Sequence, residues 1–356
     1  MVILRLWNPD SVAWTGYKLL TMPAVNNLSP HSNRRQFSSL FINLAHPTFR
    51  DTIHTKSGDD CPDFPCLPGA SRSPATATPN LVRRQKFDCG TDVEHASADF
   101  LETLNSLHST PSSGSLASRA AALMTRSDGD NSAIVVDTVF HIVAKTTSKD
   151  SITNEMPEAQ LSALNTAYAP YGISFNLVNV TWTTNDAWAV GEKDADASMK
   201  RNLRQGSYST LNIYFQTDLV GGVLGRCTLP APLSPGAANR ALYASDGCNV
   251  NANTMPDGTL EEYNRGLTAV HETGHWLGLL HTFEGYSCEG PGDFIDDTPP
   301  EREATDGCPI SPPKSTCPRG GGGGGEGNGG KEPMDPIHNF MDYSNDECYE
   351  IGRAHV

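Results

Sequence analysis

The stretch HETGHWLGLLH, residues 271 to 281, contains three histidines at fixed spacings. On a helix, His271 and His275 lie four positions apart and project from one face, so both imidazoles can reach a single ion. Gly278 is where such a helix can end, because glycine adopts the left-handed conformation without steric cost. The chain can then turn back, which brings His281 to the same ion from a loop. Three imidazoles with one open coordination position are typical of a catalytic zinc site, whereas structural zinc sites have four protein ligands.

Glu272 lies beside the histidine pair on this helix and not on the same face. Its carboxylate is therefore placed to reach a water on the metal and not to act as a third ligand. The alternative interpretation is that the histidines are unrelated residues on a half-buried helix, since His-Glu-x-x-His alone recurs by chance. Gly278 and His281 fix two further positions and favour the zinc interpretation.

Charge and hydropathy exclude several classes of partner. The 41 acidic and 26 basic residues give a formal net charge of −15, which argues against a nucleic-acid or anionic-membrane surface. No apolar run approaches the roughly 18 residues needed to span a bilayer. The sequence predicts a chain that diffuses freely and binds neither nucleic acid nor membrane.

Most of the cysteines lie near the histidine motif. Six of the nine lie there, and Cys61, Cys66 and Cys89 lie upstream. The six stand in Gly/Pro-rich loops, which indicates three disulfides and an oxidising compartment; reduced structural cysteines are the alternative. Asn27 (Asn-Leu-Ser) and Asn179 (Asn-Val-Thr) are glycosylation sequons, patterns too short to decide the compartment alone.

Composition divides the chain into three segments. Residues 1–85 are rich in Ser, Pro, Thr and Asn without periodicity, which predicts a leader or disordered segment. Charged residues interrupt the start, so no signal peptide is recognisable there. Residues 86–132 show a weak helical pattern and resemble a propeptide, and residues 133–356 are the predicted catalytic domain.

The third segment shows alternating strand and helix patterns. Strands are predicted at 134–144, 173–182 and 211–215, and helices at 157–168 and 195–204. His141 lies inside the first strand and is interpreted as a packed residue. Asn264 is the predicted cap of the histidine helix.

Two loops leave alternatives open. Gly221–Cys227 is either an edge strand that receives an extended peptide or a simple turn. Asp293, Asp297 and Thr298 cluster oxygen donors that either bind Ca2+ or form an acidic solvated turn, because their spacing is not that of an EF-hand. Gly320–Gly325 is predicted to be a flexible insertion.

The histidine motif and Met341 resemble the metzincin clan, and further stretches resemble its pappalysin family, in particular secreted fungal extracellular metalloproteases. These stretches are GGVLGRC from Gly221, GDFIDDTP from Gly292 and DPIHNFMDYS from Asp335. The resemblance covers about 135–349. It implies an α+β fold: a twisted mixed sheet with an active-site helix and a small, irregular, Cys-rich C-terminal subdomain.

The resemblance also implies roles for individual residues. The three histidines would hold Zn2+, Glu272 would act as general base, and Tyr343 would stabilise the oxyanion above the methionine turn at Met341. The expected activity is a secreted, monomeric zinc endopeptidase acting on proteins or peptides. The alternative is a non-catalytic or latent homologue that serves as a zinc-binding module, although a binding module has no need of Glu272.

The family pattern implies three disulfides and a latent state. The pairs would be Cys227–Cys248, Cys288–Cys317 and Cys308–Cys348. Cys89, in KFDCGT, resembles the Cys-Gly-Thr of pappalysin propeptides and is predicted to ligate the zinc until the segment is cut away near Arg126. The chain ends at Val356, where relatives continue into a helix, so the family pattern also predicts a truncated C-terminus.

Overall fold

A computed structural model describes residues 2–4, 18–20, 88–91, 93–108, 134–232, 237–317 and 333–351. Several sequence predictions lie outside these residues: most of the leader, Asn27, Cys61, Cys66, the cleavage region at Arg126, the glycine run 320–325 and the chain end. At the N-terminus, β1 (Val2–Leu4) and β2 (Lys18–Leu20) form an antiparallel pair.

The central sheet is mixed. Its strands are β3 (Ile134–Ala144), β4 (Ile173–Thr184), β5 (Leu211–Gln216), β6 (Gly225–Cys227) and β7 (Cys248–Asn251). Their order is β4-β3-β5-β7-β6, and every neighbouring pair is parallel except β6 and β7. β5, and β3 from Thr138 onward, are buried on both faces, as their apolar and β-branched residues predict. The predicted mixed sheet and α+β class are confirmed.

Helices cover both faces of this sheet. The described helices are α1 (Ala98–His108), α2 (Met156–Tyr168), α3 (Asp186–Val190), α4 (Lys193–Leu203), α5 (Ala237–Ser245), α6 (Leu267–Leu277) and α7 (Asp346–Ile351). Of these, α2 and α6 pack on one face of the sheet, and α3 and α4 pack on the other. The helix predicted at 195–204 begins two residues earlier, and the strand predicted at 173–182 ends two residues later. None of these helices is long and apolar enough to cross a membrane.

The predicted cap of the histidine helix is wrong. α6 begins after Gly266, whose φ of 82° only glycine adopts readily, and the Asn264 side chain instead donates to Gly258 O at 2.8 Å. Gln160 of α2 donates to Gly266 O at 2.9 Å. A contact with a distant helix, and not a local side-chain cap, therefore fixes this terminus.

The main core lies between α2, α6 and one face of the sheet. Phe140 and Phe215 meet edge to face on that face, and Tyr168 of α2 donates to the Val270 carbonyl of α6 at 2.9 Å. On the opposite face, His141 stacks on Tyr214 and is fully buried. Burial lowers the pKa of His141 to about 4, so it is a packed neutral residue, as predicted.

Beyond α6 the fold is irregular. Described residues 279–317 and 333–345 contain neither a helix nor a strand, apart from isolated bridge residues. Disulfides join Cys288 to Cys317 and Cys308 to Cys348 across this segment. A third joins Cys227 to Cys248 between β6 and β7. These are the same pairs that the family pattern implies.

Candidate metal centre

Helix α6 carries the first two histidines to the middle of the molecule. Every residue from Thr268 to Leu277 is buried. The helix ends at Gly278, as predicted, with a φ of 101° and an N–H that donates back to the carbonyls of Gly274 and His275. The chain then reverses, and His281 returns to the face that carries His271 and His275.

The three imidazoles converge through the same ring nitrogen. The Nε2 atom of His275 lies 3.1 Å from Nε2 of His271 and 3.1 Å from Nε2 of His281. All three residues are at least 95 % buried. The residues that the sequence analysis grouped by spacing are therefore brought together.

The hydrogen bonds of the Nδ1 atoms of His271 and His275 fix which nitrogen of each ring carries the proton. Nδ1 of His271 lies 2.6 Å from the Phe340 carbonyl, and Nδ1 of His275 lies 2.8 Å from the Leu279 carbonyl. A carbonyl only accepts, so both Nδ1 atoms carry the proton and both Nε2 atoms present lone pairs. Facing lone pairs repel unless a cation lies between them. Carbonyl-oriented imidazoles of this kind fit a transition-metal ion.

Burial favours the neutral imidazoles that metal binding requires. It lowers the pKa of His275 to about 4, and burial together with the neighbouring rings lowers the pKa values of His271 and His281 well below the usual range. All three rings are therefore neutral at pH 7. Neutral imidazole is the form that ligates a metal, so the donor set fits the ion without loss of a proton.

Glu272 follows His271 on α6, lies beside the Cys89 side chain and is completely buried. Burial raises its pKa to about 8. A Cβ atom at position 225 would lie 2.6 Å from Glu272 Cγ, so only glycine in β6 leaves room for this side chain. The strand edge and the carboxylate are thus in direct contact.

Met341 and Tyr343 also lie beside the histidine motif. Met341 packs under α6 where Gly274 has no side chain, since a Cβ there would lie 2.4 Å from the sulfur. The Tyr343 ring centre is 5.1 Å from that of His281. Its hydroxyl accepts from Cys89 N at 3.1 Å and lies 3.2 Å from Cys89 O.

The segment from Asp88 to Thr91 occupies the centre. Sγ of Cys89 and the three histidine nitrogens all lie within 4.8 Å of one another. The Gly90 N–H donates to Gly225 O at 2.9 Å, and the Leu224 N–H donates to Asp88 O at 2.8 Å. The segment therefore runs parallel to β6 along its outer edge. Gly221 and Gly222 form a turn before β6. The stretch Gly221–Cys227 therefore contains both a turn and an edge strand, the two alternatives that the sequence left open.

Thr91 is a contact that the sequence analysis missed. Its Oγ1 accepts from Cys227 N at 2.8 Å and lies 3.2 Å from Cys227 O and 3.5 Å from Glu272 Oε2. One hydroxyl thus engages both backbone groups of an edge-strand residue. Thr91 belongs to the Cys-Gly-Thr motif, but its partner Cys227 lies 136 residues away in the sequence. The motif alone therefore does not predict this contact.

In the loop predicted to bind Ca2+, the predicted ligands differ in burial. Asp293 is buried and accepts from Ile295 N at 3.0 Å, whereas Asp297 is exposed. Thr298 donates its N–H to Ile295 O. Among the described residues, side chains of His, Cys, Asp and Glu gather in a group that could hold a metal at Cys89 and the histidines, and not in this loop. The Ca2+ site stays a prediction.

Known proteins match this chain over most of its length. Residues 196–351 match the model of peptidase family M43, described as Pregnancy-associated plasma protein-A. An extracellular metalloprotease of Aspergillus fumigatus is 43 % identical over 276 residues, which cover 70 % of this chain and 78 % of that protein. Extracellular metalloprotease 1 of Coccidioides posadasii is 39 % identical over 286 residues, covering 80 % and 90 %.

A solved structure is also similar. It is a promirolysin from Tannerella forsythia, with a TM-score of 0.47 and 22 % identity over 73 % of this chain and 88 % of that chain. Family membership rests on the relatives, because their identity is high and their own length is largely covered. The chain therefore belongs to the pappalysin family of metalloproteases, hydrolases that act on peptide bonds.

Proposed function

We propose that this chain is a zinc endopeptidase in which His271, His275 and His281 hold the zinc ion. The observation that carries the proposal is the convergence of three neutral, buried Nε2 atoms, two of them oriented by backbone carbonyls. Neutral imidazoles with one further open position are the ligand set of catalytic zinc. Family membership implies a metal here, and the donor chemistry favours zinc.

Other residues of the chain transfer the proton, stabilise the developing negative charge and support the zinc ligands. A bound zinc ion supplies Lewis acidity and lowers the pKa of water from 15.7 to about 7. Glu272 takes the proton from the attacking water and delivers it to the leaving amine. Tyr343 donates its hydroxyl to the oxygen of the attacked carbonyl once its contacts with Cys89 are released. Met341 acts as a floor beneath the ligands.

Substrate binds along the outer edge of β6. The hydrogen bonds of Gly225 and Leu224 to the Asp88–Gly90 segment show that this edge accepts an extended backbone. A protein or peptide segment placed there passes directly over Glu272, because Gly225 contacts that carboxylate. We infer that extended stretches of polypeptide are the substrates.

The described arrangement corresponds to a latent enzyme. Cys89 Sγ lies within 4.8 Å of the three histidine nitrogens, and its thiolate, a strong zinc ligand, would there take the position that the attacking water needs. The Tyr343 hydroxyl and the edge of β6 are engaged by the same segment. Latency is thus favoured over the alternative of a non-catalytic zinc-binding module, because each catalytic group is present and covered. An ordinary buried free thiol is the simpler alternative for Cys89.

We further propose that the protein is secreted and acts as a monomer. The relatives are named extracellular metalloproteases, and three disulfides suit an oxidising compartment.

Cleavage of casein by the full-length protein tests the function. The wild type and Cys89→Ala are compared before and after limited proteolysis, each with and without a zinc chelator. We expect Cys89→Ala to be active at once, wild type to become active after proteolysis, and the chelator to abolish both activities. Absence of casein cleavage in both proteins, at full zinc content, would contradict the proposal.

A further inference from the structure

The outer strand on the opposite side of the sheet carries a sequon that the catalytic site does not use. Asn179, Val180 and Thr181 lie in β4, and Asn179 is exposed. β4 pairs with β3 on one side and stands at the end of the strand order. At 12 residues it is also the longest strand among those described.

A long outer strand is a risk for a protein that leaves the cell. Its unpaired backbone groups are a template for pairing with a second chain, and native proteins usually protect such edges. Here, Val178 is 51 % exposed and Trp182 is 46 % exposed, on either side of the sequon. The described part of the chain places no strand or helix on this edge.

The geometry at Asn179 tolerates a substituent on the amide nitrogen. Asn179 Nδ2 donates to Gln205 Oε1 at 2.9 Å in an exposed position. An amide nitrogen that carries a sugar keeps one hydrogen, so donation to Gln205 is compatible with the modification. A bulge between Thr138 and Val139 leaves Val178 without a direct partner and shifts the register just before Asn179.

The contacts of Thr181 show that a sugar can be attached to Asn179 only before the protein folds. Its Oγ1 lies 2.7 Å from His141 Nδ1, while His141 Nε2 lies 2.9 Å from Asn212 Oδ1. The Asn212 amide nitrogen donates to two carbonyls, so Oδ1 is an acceptor and Nε2 carries the proton. Nδ1 therefore accepts from the Thr181 hydroxyl. In the folded protein this hydroxyl points inward, and the tripeptide is readable only before β4 pairs.

We propose that Asn179 is N-glycosylated during secretion and that the glycan covers the free edge of β4. The inference rests on the proposed secretion. The Asn179 amide nitrogen forms a bond to the anomeric carbon of a lipid-diphosphate-linked oligosaccharide, loses one proton and releases the lipid diphosphate. The hydrophilic glycan then stands between Val178 and Trp182 and blocks edge-to-edge pairing.

The test uses the full chain expressed in yeast behind a yeast secretion leader, so passage through the secretory pathway does not depend on the chain's own start. Secreted protein is deglycosylated enzymatically in heavy-oxygen water, which marks each modified asparagine as labelled aspartate in peptide mass spectra. The variants are Asn179→Gln and, as a control on the same strand, Asn176→Gln, an exposed asparagine outside any sequon. Peptide mapping separates Asn179 from the sequon at Asn27.

We expect label at Asn179 in the wild type and in Asn176→Gln. Deglycosylated wild type and Asn179→Gln should self-associate on size-exclusion chromatography, whereas glycosylated wild type should not. An unlabelled Asn179 in secreted protein overturns the site, and monomeric behaviour of the deglycosylated protein overturns the covering role. Chelator-sensitive casein cleavage, measured on the same samples after limited proteolysis, shows whether the proposed function stands independently of this result.

Discussion

Helix α6 and the irregular segment that follows it both build the metal centre, but different forces hold them. α6 is buried along its whole length and packs on the main core. The irregular segment, described residues 279–317 and 333–345, supplies His281, Met341 and Tyr343 from backbone that has little regular hydrogen bonding. In place of regular backbone hydrogen bonds, two disulfides and side-chain contacts hold this segment. One region is positioned by apolar burial, and the other by covalent and polar links.

The largest effect that tests this contrast is expected at His281, the ligand from the irregular segment. Its replacement by alanine removes one of three imidazoles. Loss of residues that merely orient ligands weakens metal binding about 10- to 100-fold, so loss of a ligand should exceed about 100-fold. Zinc content after dialysis measures this. His338→Ala, a histidine of the same segment whose Nδ1 lies 2.7 Å from Cys348 O, is the control and should keep its zinc. Full zinc in His281→Ala would mean a different third ligand.

On the helix, we expect Glu272→Gln to separate chemistry from metal binding. Glutamine keeps the shape of the side chain but cannot take the proton. Casein cleavage by the activated enzyme should fall at least about 100-fold, with unchanged zinc content. The exposed Glu289→Gln serves as the control and should retain activity. An active Glu272→Gln enzyme with full zinc would exclude this residue as the base.

The two disulfides of the irregular segment should differ in the effect that their removal has on zinc retention. Removing the Cys308–Cys348 bridge by a double alanine substitution should lower the free energy of unfolding by about 2–4 kcal/mol. It should also loosen zinc retention, because Tyr349, next to Cys348, contacts the residues on either side of Met341: its ring lies 4.9 Å from that of Phe340 and its hydroxyl donates to Asp342 O at 3.1 Å. Chemical denaturation and dialysis measure the two effects.

The Cys288–Cys317 bridge is the matched comparison. It closes a shorter loop, with a sequence separation of 29 against 40, and Cys288 is exposed. Its removal should lower stability without loss of zinc. Equal zinc loss from both variants would show that the irregular segment acts as one unit and not as two.

The contrast also explains how much of the site the sequence could predict. On α6, spacing alone places His271 and His275 on one face, because the helical period is fixed. Gly278 likewise marks the helix end through its own backbone preference. These are local properties. The start of the helix was predicted wrongly because Gln160, about one hundred residues upstream, holds Gly266.

The irregular segment could be predicted only by family resemblance. Lys314 Nζ lies 2.5 Å from Glu301 Oε1 and 3.2 Å from Asp335 Oδ2, and the Lys314 side chain is half-buried. No periodicity links these three positions. Burial and the nearby Asp342 raise the pKa of Glu301, while its carboxylate raises that of Lys314. Such contacts depend on the folded path of a loop, which local sequence does not encode.

A smaller effect is expected at Thr91, which joins the latent segment to β6. Thr91→Val keeps the shape and removes the hydroxyl that engages Cys227. A hydrogen bond is worth about 0.5–1.5 kcal/mol net, so activation by limited proteolysis should be roughly 2- to 10-fold faster. Thr91→Ser keeps the hydroxyl and should match the wild type. Unchanged activation of Thr91→Val would show that Cys89 alone holds the segment.

The smallest effect concerns Asp293 in the loop of the irregular segment predicted to bind Ca2+. Burial raises the pKa of Asp293 to about 7, above its ordinary 3.8. The unfolded chain therefore releases this proton at lower pH than the folded one. Stability contributed by the protonated form is lost as pH rises from about 4 to about 7. Asp293→Asn, which does not titrate, should flatten the dependence of Tm on pH in that window.

Calcium decides between the two interpretations of this loop. A bound cation favours the carboxylate form, so Ca2+ at pH 7 should offset the cost of ionising Asp293 and raise the Tm by a few degrees. Asp293→Asn should lose that response, whereas the exposed Asp306→Asn should keep it. If Tm does not respond to Ca2+ in any of the three proteins, the loop is an acidic solvated turn. The disulfides and polar contacts would then position the irregular segment without an ion.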